Sequence, residues 1–466
     1  MEKSALFETV DSEAASLREL AREVWNTPEV ALQEYESSET LQNALREEGF
    51  EVEAGVAGIE TAFVARYGDG DPVVGTIGEF DALPGMSQQA TAERTPIEDG
   101  APGHGCGHNL FGVASLGGAV AVKRAIEAGD LDGTVVYYGT PAEEAGGGKM
   151  YMVREGVFDE AEAVISWHPG WYNAPSKGSC LAVDAFSLSY EGETSHAAAS
   201  PESGRSALDA VQLASSGIEY MREHVPDEAR IHYVITEGGG APNVVPAEAS
   251  MEVLVRSPER DEVERISDWV RDIADSAATM TQTESEVTKI SGLYDLLPNY
   301  TLADAIGENM AAAEFDLTDD QMAFAEELKA TLDSPSFSRV PEEHREKAAE
   351  SAMFTEPLEA FDEGQSFPGS TDEGDVSWVV PMGRFQAATW PAGTPAHSWQ
   401  AVAAGEDLGT AGMLFASKVI AGTLADLLAD ADLRAEARAE FESRTSEEGY
   451  ECPMPEDADP YELINR

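Results

Sequence analysis

Positive charge is scarce in this chain. Its 466 residues hold 29 Lys and Arg against 88 Asp and Glu, a formal net charge of -59. A surface with that field repels nucleic acid and anionic lipid, which argues against both as partners. The acidic residues are spread over most polar stretches, among them Glu13, Glu19, Asp159, Glu160, Asp227, Glu228, Asp319 and Asp320. So much self-repulsion is best held compact by concentrated counter-ions, the condition of a halophile's cytosol. Cysteine is also scarce. Cys106, Cys180 and Cys452 are few, odd in number and far apart, which argues against a disulfide framework. The polar start Met1-Glu2-Lys3-Ser4 lacks the basic and apolar blocks of a signal peptide. No run approaches the length of a membrane span, so the expectation is a soluble, cytoplasmic chain without a membrane partner.

What is present suits a globular fold of two or three domains. Residues 10–50 read as helical, with Asp11 or Ser12 as cap and Leu17, Leu20, Ala21 and Val24 recurring on one face. Short apolar runs at 61–67, 73–80, 134–139 and 163–167 have strand character. Residues 109–127 read as a buried helix between the second and third of them. This alternation predicts an α/β domain, a mostly parallel central sheet flanked by helices. After about residue 182 the pattern changes. Residues 185–190 and 248–256 alternate apolar and polar as half-buried strands do, and 206–224 and 259–279 read as amphipathic helices. The expected division is a main domain in two parts, 1–182 and 298–466, around a smaller α+β insert at 183–297. The last thirty or so residues are acidic and read as a surface helix with a loose tail.

Ligand-type side chains fall where these strands end. Asp81 follows the second run, Glu143 and Glu144 the third, and His168 the fourth. Open α/β sheets bind ligands at the carboxyl ends of their strands, because the loops converge there. His104-Gly105-Cys106-Gly107-His108-Asn109 adds a cluster that its glycines allow to converge, with Asn109 placed to cap the next helix. Thiolate and imidazole suit zinc, manganese or a similar divalent ion. Adjacent glutamates project to opposite sides of an extended loop, so one can bind a metal while the other faces a water. A metal lowers the pKa of bound water, and a nearby carboxylate can take its proton. Gly146-Gly147-Gly148 follows that pair. His397 sits in the Pro-containing loop Gly393-Thr394-Pro395-Ala396-His397-Ser398-Trp399, which holds an imidazole well. Asp372 and Asp375 admit two readings, partners of ligand residues or loop caps. His224, His232 and His344 read as surface residues.

Together these motifs resemble the metallo-aminoacylase and carboxypeptidase family, which has a catalytic domain with an inserted lid. Within it they resemble the branch with a cysteine ligand, as in hippurate and auxin-conjugate hydrolases. Gly78-Glu79-Phe80-Asp81-Ala82-Leu83-Pro84-Gly85, Gly103 to Leu110, Gly139-Thr140-Pro141-Ala142-Glu143-Glu144, Gly369 to Trp378 and His397-Ser398-Trp399-Gln400 carry the match, which runs from about residue 10 to about 430. The resemblance implies two divalent ions per subunit, zinc or manganese, bridged by Cys106 and held by His108, Glu144, His168 and His397. It implies Glu143 as general base and Asp81 as a supporting carboxylate, with Glu79 where other branches carry a metal-binding histidine. In the lid it implies His196, within Ser195-His196-Ala197-Ala198, as the group that polarises the scissile carbonyl. Asn243 and Arg256 are implied as substrate-binding residues. Asn109 departs from the Asp usual in hippurate-type relatives. The implied reaction is hydrolysis of an N-acyl amino acid, aminobenzoyl-glutamate among the substrates, by a homodimer joined through the lid or with a related second subunit.

Two other readings compete. Cys106 could be the nucleophile of a thiol amidase with His108 or His104 as base, which leaves Glu144, His168 and His397 without a role. The chain could instead be an accessory subunit that binds acyl amino acids without cleaving them, which leaves Glu143 without one.

Overall fold

The computed structural model describes residues 3–145, 147–445 and 449–461. Met1 and Glu2 of the polar start, Gly146 of the glycine run, and residues 446–448 and 462–466 of the acidic tail lie outside the described residues. In chain order the strands are β1 (Glu51–Ala54), β2 (Phe63–Gly68), β3 (Val73–Gly78), β4 (Thr134–Gly139), β5 (Ala163–Gly170), β6 (Ala174–Ser176), β7 (Ser179–Cys180), β8 (Ala182–Glu191), β9 (Arg230–Glu237), β10 (Glu248–Ser257), β11 (Glu284–Leu293), β12 (Ser366–Phe367) and β13 (Met382–Ala388). The main sheet has the order β1-β2-β4-β3-β5-β13-β6. Its four central strands are parallel, and antiparallel strands complete both edges.

The central strands carry continuous apolar runs because helices cover both faces. β4 is buried along its whole length, and Tyr137, Tyr138 and Trp167 are among the largest enclosed side chains. Each such side chain contributes roughly 1.5–3 kcal/mol through burial. The chain leaves β3, returns through the helix His108–Ala128 and enters β4 in parallel. This brings the loops after β3, β4, β5 and β13 to one edge. The helix Gly409–Ala429 packs on His108–Ala128. Contrary to the sequence expectation, this helix is long and apolar enough to span a bilayer. Burial of 94% of its apolar window inside the fold makes it a core helix instead.

A second, antiparallel sheet, β11-β8-β10-β9, carries the helices Ala207–Met221 and Arg260–Thr281 and has its own apolar core. At the amino terminus the structure corrects two capping assignments. Ser12 ends the helix Lys3–Ser12, where its Oγ donates to the Thr9 carbonyl at 2.7 Å. The next helix begins after Glu13, with no side-chain cap from Asp11 or Ser12.

Where the chain returns from the second sheet, the short helix Glu373–Ser377 clasps it. The Tyr294 N–H donates to Asp375 Oδ2 at 3.3 Å, Leu297 N–H to Ser377 Oγ at 2.9 Å, and Trp378 Nε1–H to the Asp295 carbonyl at 2.9 Å. The tail, expected to be loose, reaches the same clasp: Tyr450 O–H donates to Asp375 Oδ1 at 2.9 Å and Glu451 N–H to Tyr294 Oη at 3.1 Å. Asp375 therefore works here, away from the ligand-type residues. Burial, then the charge of Asp372, pushes its carboxyl up to about 7, against 3.8 when unperturbed. A carboxyl raised in the fold contributes stability below its unfolded pKa and loses it as pH rises through the folded value. Metal-free unfolding midpoints should fall between pH 5 and 8 at fixed salt, and Asp375→Asn should flatten part of that fall. An unchanged slope in that variant would remove Asp375 from the account.

Candidate metal centre

Gly107 starts the site. It caps the helix His108–Ala128 at φ +79°, a left-handed conformation that favours glycine, and a Cβ there would lie 3.0 Å from the Pro169 ring. That turn puts Cys106 and His108 at the buried mouth of the helix. Asn109, expected to cap it, is instead the second helical residue. Its Nδ2 donates to the carbonyls of Gly405 at 3.0 Å and Ala21 at 3.3 Å.

Two imidazoles have their tautomers fixed by acceptors. His108 Nδ1 lies 2.9 Å from Asp81 Oδ1, and His168 Nδ1 lies 2.7 Å from the Pro169 carbonyl. Neither oxygen can donate, so both rings donate from Nδ1 and turn the Nε2 lone pair inward, the arrangement of metal-ligating histidines. His168 Nε2 lies 3.4 Å from Cys106 Sγ. Burial, and then Arg384 and His108, holds His168 well below the usual imidazole range. Burial would lower His108 too, but Glu79 and Asp81 outweigh it and raise that ring. Asp81 also accepts the Glu144 N–H at 2.9 Å, tying the loop after β4 to the loop after β3.

That second loop is bent by Ala142, which takes φ +63° and donates its N–H to buried Glu34 at 2.9 Å. Gly148 closes the bend, since a Cβ there would sit 1.9 Å from the Pro141 carbonyl. The bend sends Glu143 and Glu144 to different neighbours. Donor atoms within 4.8 Å of one another form three groups: Cys106, His108 and His168; Cys106, Glu144 and His397; Glu79, His108 and Glu143. His397 is itself in the left-handed region, at φ +57°, held by its N–H to the Gly105 carbonyl at 2.9 Å. Such strain outside glycine concentrates at functional sites. Its Nε2 is 3.4 Å from Glu144 Oε2, and hydrogen bonds to Cys106 and Glu144 push its pKa up to about 10. With 54% of its side chain exposed, His397 marks the solvent side of the cluster.

These residues fit divalent cations. One thiol, three imidazoles and carboxylates converge at ligand spacing, and the buried Glu144 Oε1 has no hydrogen bond among the described residues. Residues 75–356 match the model of peptidase family M20/M25/M40. One of the subunits of p-aminobenzoyl-glutamate hydrolase of Escherichia coli (strain K12) is 38% identical over 98% of this chain and 98% of its own. The chain belongs to the M20/M25/M40 peptidase family. It is a metal-dependent amidohydrolase of that family. Solved structures share the fold at 18% identity. An aminobenzoyl-glutamate utilization protein from Klebsiella pneumoniae has a TM-score of 0.58, covering 88% of this chain and 98% of its own. A dinuclear metal binding peptidase from Bacillus subtilis has a TM-score of 0.57, covering 89% and 99%.

In this M20/M25/M40 member, some expected residues stand elsewhere. His104 points away, its Nε2–H donating to the Val24 carbonyl at 3.1 Å, and burial brings its pKa down to about 4. Burial pushes the Cys106 thiol up, the reverse of what an unassisted thiol nucleophile needs. His196 and Asn243 lie on facing exposed loops at the far end of the lid sheet, where Ala197 N–H meets the Asn243 carbonyl at 3.0 Å. Arg256 lies at the other end of β10, opposite Val183, donating to the Pro368 carbonyl at 3.4 Å. The eight residues from Glu248 to Arg256 span roughly 27 Å of strand. Asn243 and Arg256 of one chain therefore do not bind one carboxylate together, as the sequence had suggested.

The structure also adds residues that sequence reasoning missed. Lys149 is fully buried between Glu79, at 2.8 Å, and Asp372, at 2.6 Å. Asp372 is thus an ion-pair partner and not a loop cap, since it makes no side-chain capping bond. Glu373 binds Ser166 Oγ and Arg384, the latter at 2.6 Å. The available signal was a lone basic residue inside an apolar segment, at Lys149 and again at Arg384. Burial, then Glu79 and Asp372, holds the Glu143 carboxyl well above the usual range.

Proposed function

We propose that this chain hydrolyses the amide bond of N-acyl amino acids at a dinuclear centre, with aminobenzoyl-glutamate as the first substrate to test. The observation that carries the proposal is Cys106, whose sulfur belongs to two donor groups at once, with Glu143 in a third beside them. In this reading Cys106, His108 and His168 hold one divalent ion, zinc or manganese, and Cys106, Glu144 and His397 the other. Such ions supply Lewis acidity and lower the pKa of water from about 15.7 toward roughly 7. Glu143 takes the proton of the attacking water and returns it to the departing amine nitrogen. Asp81 keeps His108 and the Glu144 backbone in register.

His196 polarises the scissile carbonyl from the lid of a second copy. Its Nδ1 accepts the N–H groups of Ala198 and Ala199, each at 3.2 Å, so a neutral ring carries its proton on Nε2 as a donor. Asn243 accompanies it, and Arg256 serves the substrate carboxylate from another chain or not at all. The proposed division is a catalytic domain of 1–182 and 298–466 around a lid of 183–297 that forms the homodimer. The E. coli relative is by name one of several subunits of its hydrolase, so a related second subunit is the alternative partner. A charge of -59 supports a halophilic, cytoplasmic setting.

The test is product release by the purified chain alone across a panel of acyl amino acids, in high potassium chloride, with added zinc, manganese or cobalt. Release that a chelator abolishes and metal restores is expected. Release indifferent to the chelator would revive the thiol amidase, and none under any condition would leave an accessory subunit.

A further inference from the structure

We propose that Glu79 is an additional ligand of this centre, aimed by Lys149 and Asp372; the inference rests on the metal-centre reading above. His108 Nε2 lies 3.1 Å from Glu79 Oε2. Asp81 takes the Nδ1 proton of that ring, so in the neutral imidazole Nε2 is an acceptor facing a second acceptor. Both atoms are buried, and neither has a hydrogen bond among the described residues. Two lone pairs at this distance repel, and no bulk water reaches them to screen the repulsion. A cation between them converts repulsion into two bonds. A divalent ion at about 2.0–2.2 Å from each atom would set them roughly 3.0–3.4 Å apart, which contains the observed separation. Glu143 is the third member of this donor group.

The other Glu79 oxygen explains why the carboxylate points this way. Oε1 receives Lys149 Nζ at 2.8 Å, and the same ammonium reaches Asp372 Oδ1 at 2.6 Å. The Lys149 backbone N–H donates to Asp372 Oδ2 at 2.9 Å, so Asp372 grips both ends of the lysine. Lys149 and Asp372 are fully buried and Glu79 is 1% exposed. Lys149 is therefore a positioning residue that occupies one Glu79 oxygen and presents the other to His108.

The test titrates the metal-stripped full-length chain with Co(II), following ion stoichiometry and the ligand-field and thiolate-to-cobalt absorption bands. The wild type should take two ions. Glu79→Gln keeps the shape and removes the charge. It should bind one ion as before and the other at least about 10-fold more weakly, with altered ligand-field bands. Lys149→Met should weaken the same ion, and Lys149→Arg should restore part of the affinity. A Glu79→Gln titration matching the wild type in affinity and bands would overturn the proposal and leave the centre standing. A wild type that fails to take two ions would overturn both. If circular dichroism shows Glu79→Gln unfolded, Lys149→Met decides, and wild-type cobalt binding there overturns the proposal.

Discussion

Replacing Glu143 with glutamine is expected to cut turnover about 10³-fold while the chain keeps its full metal content. The amide matches the carboxylate in shape but cannot accept a proton from water. Glu143 is outside both Cys106 groups, so its loss removes no proposed ligand of either. Its surroundings suit a proton carrier. Burial, Glu79 and Asp372 make its carboxyl reluctant to ionise, and cations close by would bring it back toward neutrality. A base poised near the working pH transfers protons in both directions most effectively. Turnover close to wild type would assign the proton to another group.

Cys106→Ala should be more damaging still. The sulfur is the one donor common to two groups, so its removal weakens both ions together. The loss of affinity should exceed the roughly 10–100-fold cost of removing an outer partner of a ligand. Metal analysis after dialysis should find fewer than two ions, and turnover should fall to background. Cys106→Ser, with a harder oxygen donor, should keep part of the metal and little of the rate. A thiol amidase predicts otherwise: Cys106→Ala would be inactive with its metal content and chelator response unaffected. Measuring metal and rate on the same preparation separates the two.

The strand-end logic was readable because β3, β4 and β5 are uninterrupted apolar runs, and their ends place Asp81, Glu143, Glu144 and His168. Other elements hid. β13 reads Met-Gly-Arg-Phe-Gln-Ala-Ala, where Arg384 and Gln386 break the apolar pattern of a buried strand. Arg384 is tolerated there because Glu373, from a separate helix, neutralises it. Lys149 was missed for the same reason, since its partners lie 70 residues before it and 223 after it along the chain, and no local pattern announces a non-local ion pair. The tail looked loose because its acidic composition conceals the contacts of Tyr450 with Asp375. In the lid, spacing along the sequence said nothing about which end of β10 each residue occupies. Asn243 and Arg256 therefore looked like partners although the strand holds them apart.

X-ray absorption at the metal edge of the purified, metal-loaded chain tests the central claim most directly. The account predicts two ions per chain, each with one sulfur neighbour at about 2.3 Å and nitrogen or oxygen neighbours at about 2.0–2.2 Å, and with the sulfur signal lost in Cys106→Ala. Ions bound without any sulfur neighbour, or a sulfur signal that survives that substitution, would contradict it.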